Sequence, residues 1–262
     1  MSDQGIAVHI AHPNQVVAFM KAKNRLAKTD AIDARLLSQF GAFLTLEQIR
    51  APLSEKHYQL QHLGARLNQL KSLLHEEHCR QHHPNMTDPF LKDTFNEVVY
   101  VIEKKIKDVQ NVMLSLVQAD KDLKEKFEIL QSMPGIGELS VLNILADLPE
   151  IGELSKGKIA SLVGVAPITQ QSRKMQGQSH IRYGRGDLRK VLYMGALVAC
   201  RYNPIMKAFY ERLCAKGKPK KVGIIAVLRK MLITLNAMIK AKTSWKNQGG
   251  ERALILRCSE LS

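Results

Sequence analysis

Apolar residues recur three and four apart over most of this chain, the spacing of helices that bury one face. Leucines at 53, 60, 63, 67, 70 and 74 form a first run. After a turn-rich break at His83–Pro89, a second run carries Phe95, Val99, Ile102, Ile106, Val109, Met113, Leu116, Leu123, Phe127 and Leu130. Two long helices on one heptad spacing, joined by a short turn, predict an antiparallel coiled-coil hairpin over residues 51–129. Asp120 interrupts the second run as the single polar position that sets register. Further helices are predicted on either side of Pro134-Gly135-Ile136-Gly137, over Asp187–Tyr202, after Asn203-Pro204, and over Val222–Ile239. Residues 130–242 therefore read as an all-helical domain, and 243–262 as a disordered tail. The N-terminal 50 residues differ. Gly5–Ile10 reads as one strand, Asn14 as the cap of a helix bearing Val16, Val17, Phe19 and Met20, and Thr29 as the start of another. One strand with two helices is the tail end of an α/β domain, so the fold class is mainly α with an α/β remnant.

Charge narrows the partners. The chain has 262 residues and a formal net charge of +15, with a pI near 9.7, which points to a polyanion, with nucleic acid first. Aromatic residues make up 5%, too few for a stacking platform along single strands. No run of 18 apolar residues predicts a bilayer span, and no secretory signal opens the chain. Four cysteines scattered without paired spacing suit a reduced, cytoplasmic protein.

The chemistry concentrates in Leu162–Lys190. Its apolar start stops at Pro167, and a polar loop follows with two serines, Ser172 and Ser179. Basic residues Arg173, Lys174, Arg182, Arg185, Arg189 and Lys190 face one acid, Asp187. Such a segment holds a polyanion beside hydroxyl groups, either as a phosphate contact or with a nucleophilic serine. Gly135, Ile136 and Gly137 make a turn like that of a helix-hairpin-helix, which offers backbone N–H groups to a phosphate of double-stranded DNA without reading its sequence. An ordinary packed corner is the other reading. Lys218, Lys220 and Lys221 belong to a C-terminal stretch in which Glu211 is the one acid between Arg201 and Lys246, a further phosphate-facing surface.

Two constellations could hold metal. Asp30 and Asp33 lie three apart, so both carboxylates project from the first turn of one helix; they either favour the helix dipole or share a divalent cation. His75 with Cys79, and His78 with His82, are four apart and could grip a transition metal or simply line a solvated face.

The order of these motifs resembles the insertion-sequence-110 family of bacterial transposases. The resemblance rests on Lys28-Thr-Asp-Ala-Ile-Asp-Ala34, Met133-Pro-Gly-Ile-Gly137, Gly164-Val-Ala-Pro with Ser172, Arg185-Gly186 through Tyr193, Asn203-Pro204, and Gly217-Lys218 through Arg229-Lys230. It covers nearly the whole chain. It implies a DNA recombinase with a RuvC-like, RNase H-type domain that binds Mg²⁺ through an Asp-Glu-Asp-Asp set. It also implies a C-terminal domain whose serine forms a covalent phosphoserine with DNA. Dimers or tetramers, a structured guide RNA for some members, and a place on the bacterial nucleoid are further implications. Asp30 and Asp33 match the last two acids and Ser172 the serine. The family's first Asp and its Glu have no counterpart here, so the chain is expected to be N-terminally truncated relative to the family. Arg173 stands where the family commonly has glycine. A remnant that binds DNA or RNA and dimerises without chemistry is the competing expectation, and a DNA-bending or repair protein a third.

Overall fold

The computed structural model describes residues 13–23, 29–43, 53–82, 88–168, 171–172, 175–176 and 180–245. They fall into two units, residues 1–55 and 56–262, each built almost wholly of helix as the apolar spacing predicts. The expected strand Gly5–Ile10 lies outside the described residues, as does the side chain of Asn14.

In the first unit, helix α1 (Pro13–Ala22) packs on α2 (Asp30–Phe43). Phe19 stands edge-on to Phe40 with ring centroids 5.4 Å apart, and Leu36 and Phe40 are buried. Thr29 opens α2: its side-chain oxygen accepts from the Ile32 amide at 3.4 Å, satisfying one of the first-turn donors that a helix leaves unpaired.

The second unit opens with α3 (Glu55–Gln81) and α4 (Pro89–Gln118). Three contacts fix their opposite directions. Gln81 meets Asn96 at 2.6 Å beside the connection, Gly64 lies against Met113, and Lys56 meets Asp120 at 3.1 Å at the far end. Leu60, Leu67, Met113 and Val117 are fully buried, while Phe95, Val99, Ile102, Ile106 and Val109 on the predicted stripe are half-buried. Gly64 also sits where a Cβ would come within 3.0 Å of Ala146 Cβ, so the hairpin rests on the domain behind it through a position with no side chain.

Asp120 is no polar position within a continuous seam. The helix ends at Gln118, and Asp120 caps a new one, α5 (Lys121–Gln131), by accepting from the amides of Asp122 (3.1 Å) and Leu123 (3.2 Å). The apolar spacing persists across the break because both helices bury the same kind of face, which is why periodicity alone ran them together.

From α5 the chain turns through Ser132–Gly137 into α6 (Glu138–Asp147), then reaches α7 (Lys156–Val163). A short antiparallel ribbon follows, β1 (Gln171–Ser172) with β2 (Met175–Gln176), and then α8 (Gly186–Tyr202), α9 (Pro204–Ala215) and α10 (Lys220–Ala241). The sequence predicted a loop in place of the ribbon; strands of two residues carry no readable alternation.

Helix α10 is the core of this unit. Ten of its residues are buried, among them Val227, Leu228, Met231, Leu232 and Leu235, and α5, α7, α8 and α9 pack around it. Its mean hydropathy of 1.8 over 18 residues would suit a bilayer span, contrary to the expectation that no such run exists. It is instead wrapped by protein on most sides, as a central core helix must be. Its two buried polar residues have partners: the Thr234 hydroxyl donates to the Lys230 carbonyl at 2.9 Å. The Asn236 carboxamide accepts from the Gly152 amide (2.7 Å) and donates to the Leu154 carbonyl (2.8 Å), tying the α6–α7 connection to the core. Past α10, Thr243–Trp245 were expected in the disordered tail. They fold back instead: Thr243 N–H donates to the Met238 carbonyl and Trp245 N–H to the Ser132 hydroxyl. Residues 246–262 lie outside the described residues.

Asp120 supplies a prediction with a pH signature. Its carboxyl is held below the usual carboxylate range, first by the Leu123 amide and then by Lys56. A depressed folded pKa contributes stability that is present at neutral pH and lost as pH falls through it. Asp120→Ala is expected to cost about 1 kcal/mol in urea denaturation at pH 7. The difference from wild type should narrow as pH falls below the ordinary carboxylate range and the folded carboxylate takes up its proton.

Candidate nucleic-acid interface and serine hairpin

Three surfaces predicted from the sequence belong to the second unit. The first is the glycine turn. Gly135 takes φ +102°, Met133 and Ile136 are buried, and the Ile136 amide donates to the Met133 carbonyl at 3.1 Å. Gly135 presses on α8, where a Cβ would come within 2.8 Å of Ala199 Cβ and 3.0 Å of the Gly195 carbonyl oxygen. Glycine is therefore required at 135, opposite the small residues Gly195 and Ala199 of α8. Gly137, by contrast, is exposed with open space around it, and no side chain caps α6. The first turn of α6 is thus left without a side-chain cap, as an anion site at a helix N-terminus requires. Glu138 in that first turn is exposed and opposes an anion there.

The second is the serine segment. Paired amides and carbonyls of Ile168 and His180 (2.9 and 3.2 Å) begin a hairpin, and Gln171 then faces Gln176 and Ser172 faces Met175. Ser172 therefore sits on the strand immediately before the Arg173-Lys174 connection. Arg173, Lys174 and Ser179 lie outside the described residues, and of Ser172 only the backbone is described. The basic residues at the hairpin's foot divide. Arg182 and Lys190 are exposed, Lys190 meeting Asp187 at 2.9 Å in a solvated pair that contributes little. Arg185 is committed inward: both its nitrogens donate to the buried Glu150 carboxylate, at 2.6 and 2.7 Å. Arg189 is committed too, with Nη1 within 3.3 Å of the Val163 and Gly164 carbonyls and 2.7 Å from that of Tyr183. Both had been expected to face phosphate; a count of basic letters cannot tell a guanidinium that faces DNA from one that holds the chain. Tyr183 has φ +60°, a left-handed conformation that costs a residue with a bulky side chain about 1–2 kcal/mol.

Beside this foot, a cleft of about 590 Å³ opens between α3 and the start of α8, lined by Gln61, Asn68, Ser72, Asp147, Asp187 and Lys190 among others. Burial pushes the Asp147 carboxyl above the usual range, with Asp187 adding to the rise and Arg185 opposing it. This acid gave no signal in the sequence, since it follows an apolar helix face and belongs to no motif.

The third surface is the C-terminal basic stretch. Lys218, Lys220 and Lys221 are exposed around the start of α10, and Lys216, Lys207 and Arg201 are exposed nearby in sequence. Lys230 is drawn over the Phe209 ring, 4.6 Å from its centroid, with Arg212 at 5.3 Å from the same ring. Burial, then Arg212, lowers the Lys230 pKa.

In the first unit, Asp30 and Asp33 occupy the first turn of α2 as the spacing predicts. One oxygen of Asp33 is buried without a hydrogen-bond partner. Carboxylate oxygens suit a hard divalent cation such as Mg²⁺, so the residues fit the ion in kind. Among the described residues, no group of three or more His, Cys, Asp or Glu side chains converges on one point. His75 and Cys79 approach to 3.7 Å, and the His78 and His82 rings lie tilted to one another with centroids 6.4 Å apart, as two separate pairs on α3 and its end.

Residues 127–211 match the profile of the transposase family described as IS116/IS110/IS902. That span holds the glycine turn, the serine hairpin and α8. The chain is similar to the pilin gene-inverting protein of Moraxella bovis, at 29% identity over 238 residues that cover 89% of this chain and 72% of that protein. It is also similar to the IS900 42 kDa protein of Mycobacterium paratuberculosis, 29% identical over 53% of this chain and 37% of that protein. The IS110 43.6 kDa protein of Streptomyces coelicolor is 25% identical over 46% of this chain and 30% of that protein.

The two arginines at the foot give a paired prediction. Arg185→Ala leaves the Glu150 charge buried and uncompensated, and is expected to cost about 3 kcal/mol in chemical denaturation. Arg182→Ala touches an exposed side chain and should stay within about 0.5 kcal/mol. Equal losses for the two would mean that Arg185 is no more committed to the core than Arg182.

Proposed function

We propose, from the premise that this chain belongs to the IS116/IS110/IS902 transposase family, that it binds double-stranded DNA and that Ser172 is its nucleophile. The observation that carries the reading is the position of Ser172 in a β-hairpin anchored to a rigid helical core, directly before two basic residues. Sites on such anchored segments hold reacting atoms more closely than free loops do. In the reaction, Ser172 Oγ attacks a DNA phosphorus. A P–Oγ bond forms, the bond from phosphorus to the displaced sugar oxygen breaks, and the hydroxyl proton ends on that oxygen. Attack by a hydroxyl of the recipient strand then reverses the exchange and frees the serine. Arg173, Lys174 and Arg182 stabilise charge on the transferring phosphate. The Gly135–Gly137 turn acts as a helix-hairpin-helix, and with Lys218, Lys220 and Lys221 it holds the duplex backbone. Asp30 and Asp33 would hold Mg²⁺, which when bound supplies charge neutralisation at phosphate. A structured RNA is a further partner consistent with the positive charge.

A second reading, a module that binds and assembles without chemistry, draws on the first unit. Among the described residues no third His, Cys, Asp or Glu converges on Asp30 and Asp33, and two carboxylates alone hold Mg²⁺ weakly.

One experiment separates them. The chain is incubated with a duplex taken from the DNA flanking its gene, with the adjoining transcript present, and covalent protein–DNA adducts are resolved under denaturing conditions. Wild type is expected to form an adduct and Ser172→Ala none, with both binding the duplex equally. Absence of adduct from both would sink the nucleophile and leave the binding module. Replacing Lys218, Lys220 and Lys221 together should weaken binding regardless of sequence and flatten its dependence on salt by about three counterions.

Self-association is part of the proposal. Helix α4 leaves Leu91, Val98, Val101 and Val112 exposed on a face that also carries the Lys105–Asp108 pair. In sedimentation, Val98→Glu with Val101→Glu is expected to shift a dimer to monomer without loss of helical signal. A wild-type monomer at micromolar concentration would remove this assignment.

A further inference from the structure

We infer that Arg189 is a latch that sets the orientation of the serine hairpin against the helical core, and hence a positioning residue for Ser172. The second half rests on the reading of Ser172 given above.

The hairpin leaves the core at Gly164, the left-handed cap of α7 (φ +78°), and returns at Tyr183-Gly184. These two points touch. A Cβ on Gly164 would collide with the Tyr183 carbonyl oxygen, and one on Gly184 with the backbone of Gly164. The strands of the foot are therefore closer than any pair of side chains would allow, and glycine is required on both sides. Three carbonyl oxygens, of Val163, Gly164 and Tyr183, converge on Arg189 Nη1 at 3.3, 3.3 and 2.7 Å. Two belong to the outgoing side and one to the return. Such oxygens repel one another unless a cation lies among them, and a guanidinium supplies both the charge and the fixed donors. Arg189 is also what holds Tyr183 at φ +60°, a conformation that persists only where the surroundings impose it.

Arg189 itself is fixed. It lies one turn inside α8, its amide donating to the Arg185 carbonyl at 3.0 Å. The start of α8 is anchored by the Arg185–Glu150 pair and by the Arg185 amide on the Leu162 carbonyl (3.2 Å). Beyond the foot, the reciprocal Ile168–His180 bonds carry the orientation toward β1 and Ser172. Arg189 thus joins both sides of the foot through one side chain, alongside backbone bonds that anchor the outgoing side, the Val165 and Ala166 amides on the Ala160 carbonyl (2.8 and 3.1 Å).

Three variants of the full chain test this: Arg189→Ala, Arg189→Lys and Ser172→Ala. Hydrogen exchange is read at the Ile168 and His180 amides and along α10, and adduct formation with the flanking duplex is timed under the conditions above. For Arg189→Ala, exchange at Ile168 and His180 should rise about tenfold with α10 unchanged. Its adduct rate should fall about a hundredfold, the scale of a misplacement of one ångström, while duplex affinity stays within about twofold. Millimolar guanidinium should restore part of that rate. Arg189→Lys keeps the charge but cannot span the carbonyls, and should fall between the two; it replaces the alanine variant if that one does not fold. Unchanged exchange, or equal loosening of α10, would overturn the latch. A parallel loss of duplex affinity would also overturn it, by making Arg189 a phosphate contact. If Ser172→Ala forms adduct at the wild-type rate while Arg189→Ala still frees the hairpin, the nucleophile assignment fails and the latch stands.

Discussion

Helix α10 cannot lie on a surface. It is apolar nearly all the way round, and burying it requires neighbours on most sides, which α5, α7, α8 and α9 provide. Everything of functional interest in the second unit hangs on elements held by that burial. The glycine turn is the connection out of α5, the serine hairpin leaves from α7 and returns to α8, and the exposed lysines gather where α9 hands over to α10. The hydrophobic effect is indifferent to direction, so polar ties choose among the arrangements it would accept. Asn236 fixes the α6–α7 connection on α10, and the small residues 135, 195 and 199 fix the turn on α8.

A net charge of +15 overstates the surface that meets a polyanion. Arg185 and Arg189 neutralise a buried carboxylate and a cluster of carbonyl dipoles, while the exposed lysines of the α9–α10 corner remain free to exchange water and counterions for phosphate. The two uses suit the two side chains. A planar guanidinium with several fixed donors satisfies converging oxygens, whereas an ammonium on a flexible stem follows a backbone without demanding a fixed geometry.

Long periodic elements were legible in the sequence. The helices of the hairpin, the turn at Met133–Gly137, and α8 through α10 follow from apolar spacing and from glycine, asparagine and proline punctuation. Asn203 caps α9 through its own side chain, as the Asn-Pro pair suggested. What escaped was local competition. At Asp120, a side-chain cap outcompeted helix continuation within an unbroken apolar pattern. Between Gly164 and Tyr183, strands too short to show alternation formed because their ends were pinned by contacts distant in sequence. In the site, the spacing of Asp30 and Asp33 correctly placed both in one helical turn. The inward commitment of Arg185 depended on Glu150, 35 residues away, which no local pattern could announce.

The hairpin's arithmetic has a consequence for how this segment can change. Between the Ile168–His180 and Gln171–Gln176 pairs, two residues lie on the outgoing side and three on the return. Backbone pairing sets Ser172 opposite Met175 and Gln171 opposite Gln176. Insertion or loss of a single residue on the outgoing side would move each of them by one pairing position, with every residue type preserved. Along this ribbon, drift in letters is a lesser disturbance than drift in length, and the register of Ser172 is written in the number of residues that precede it.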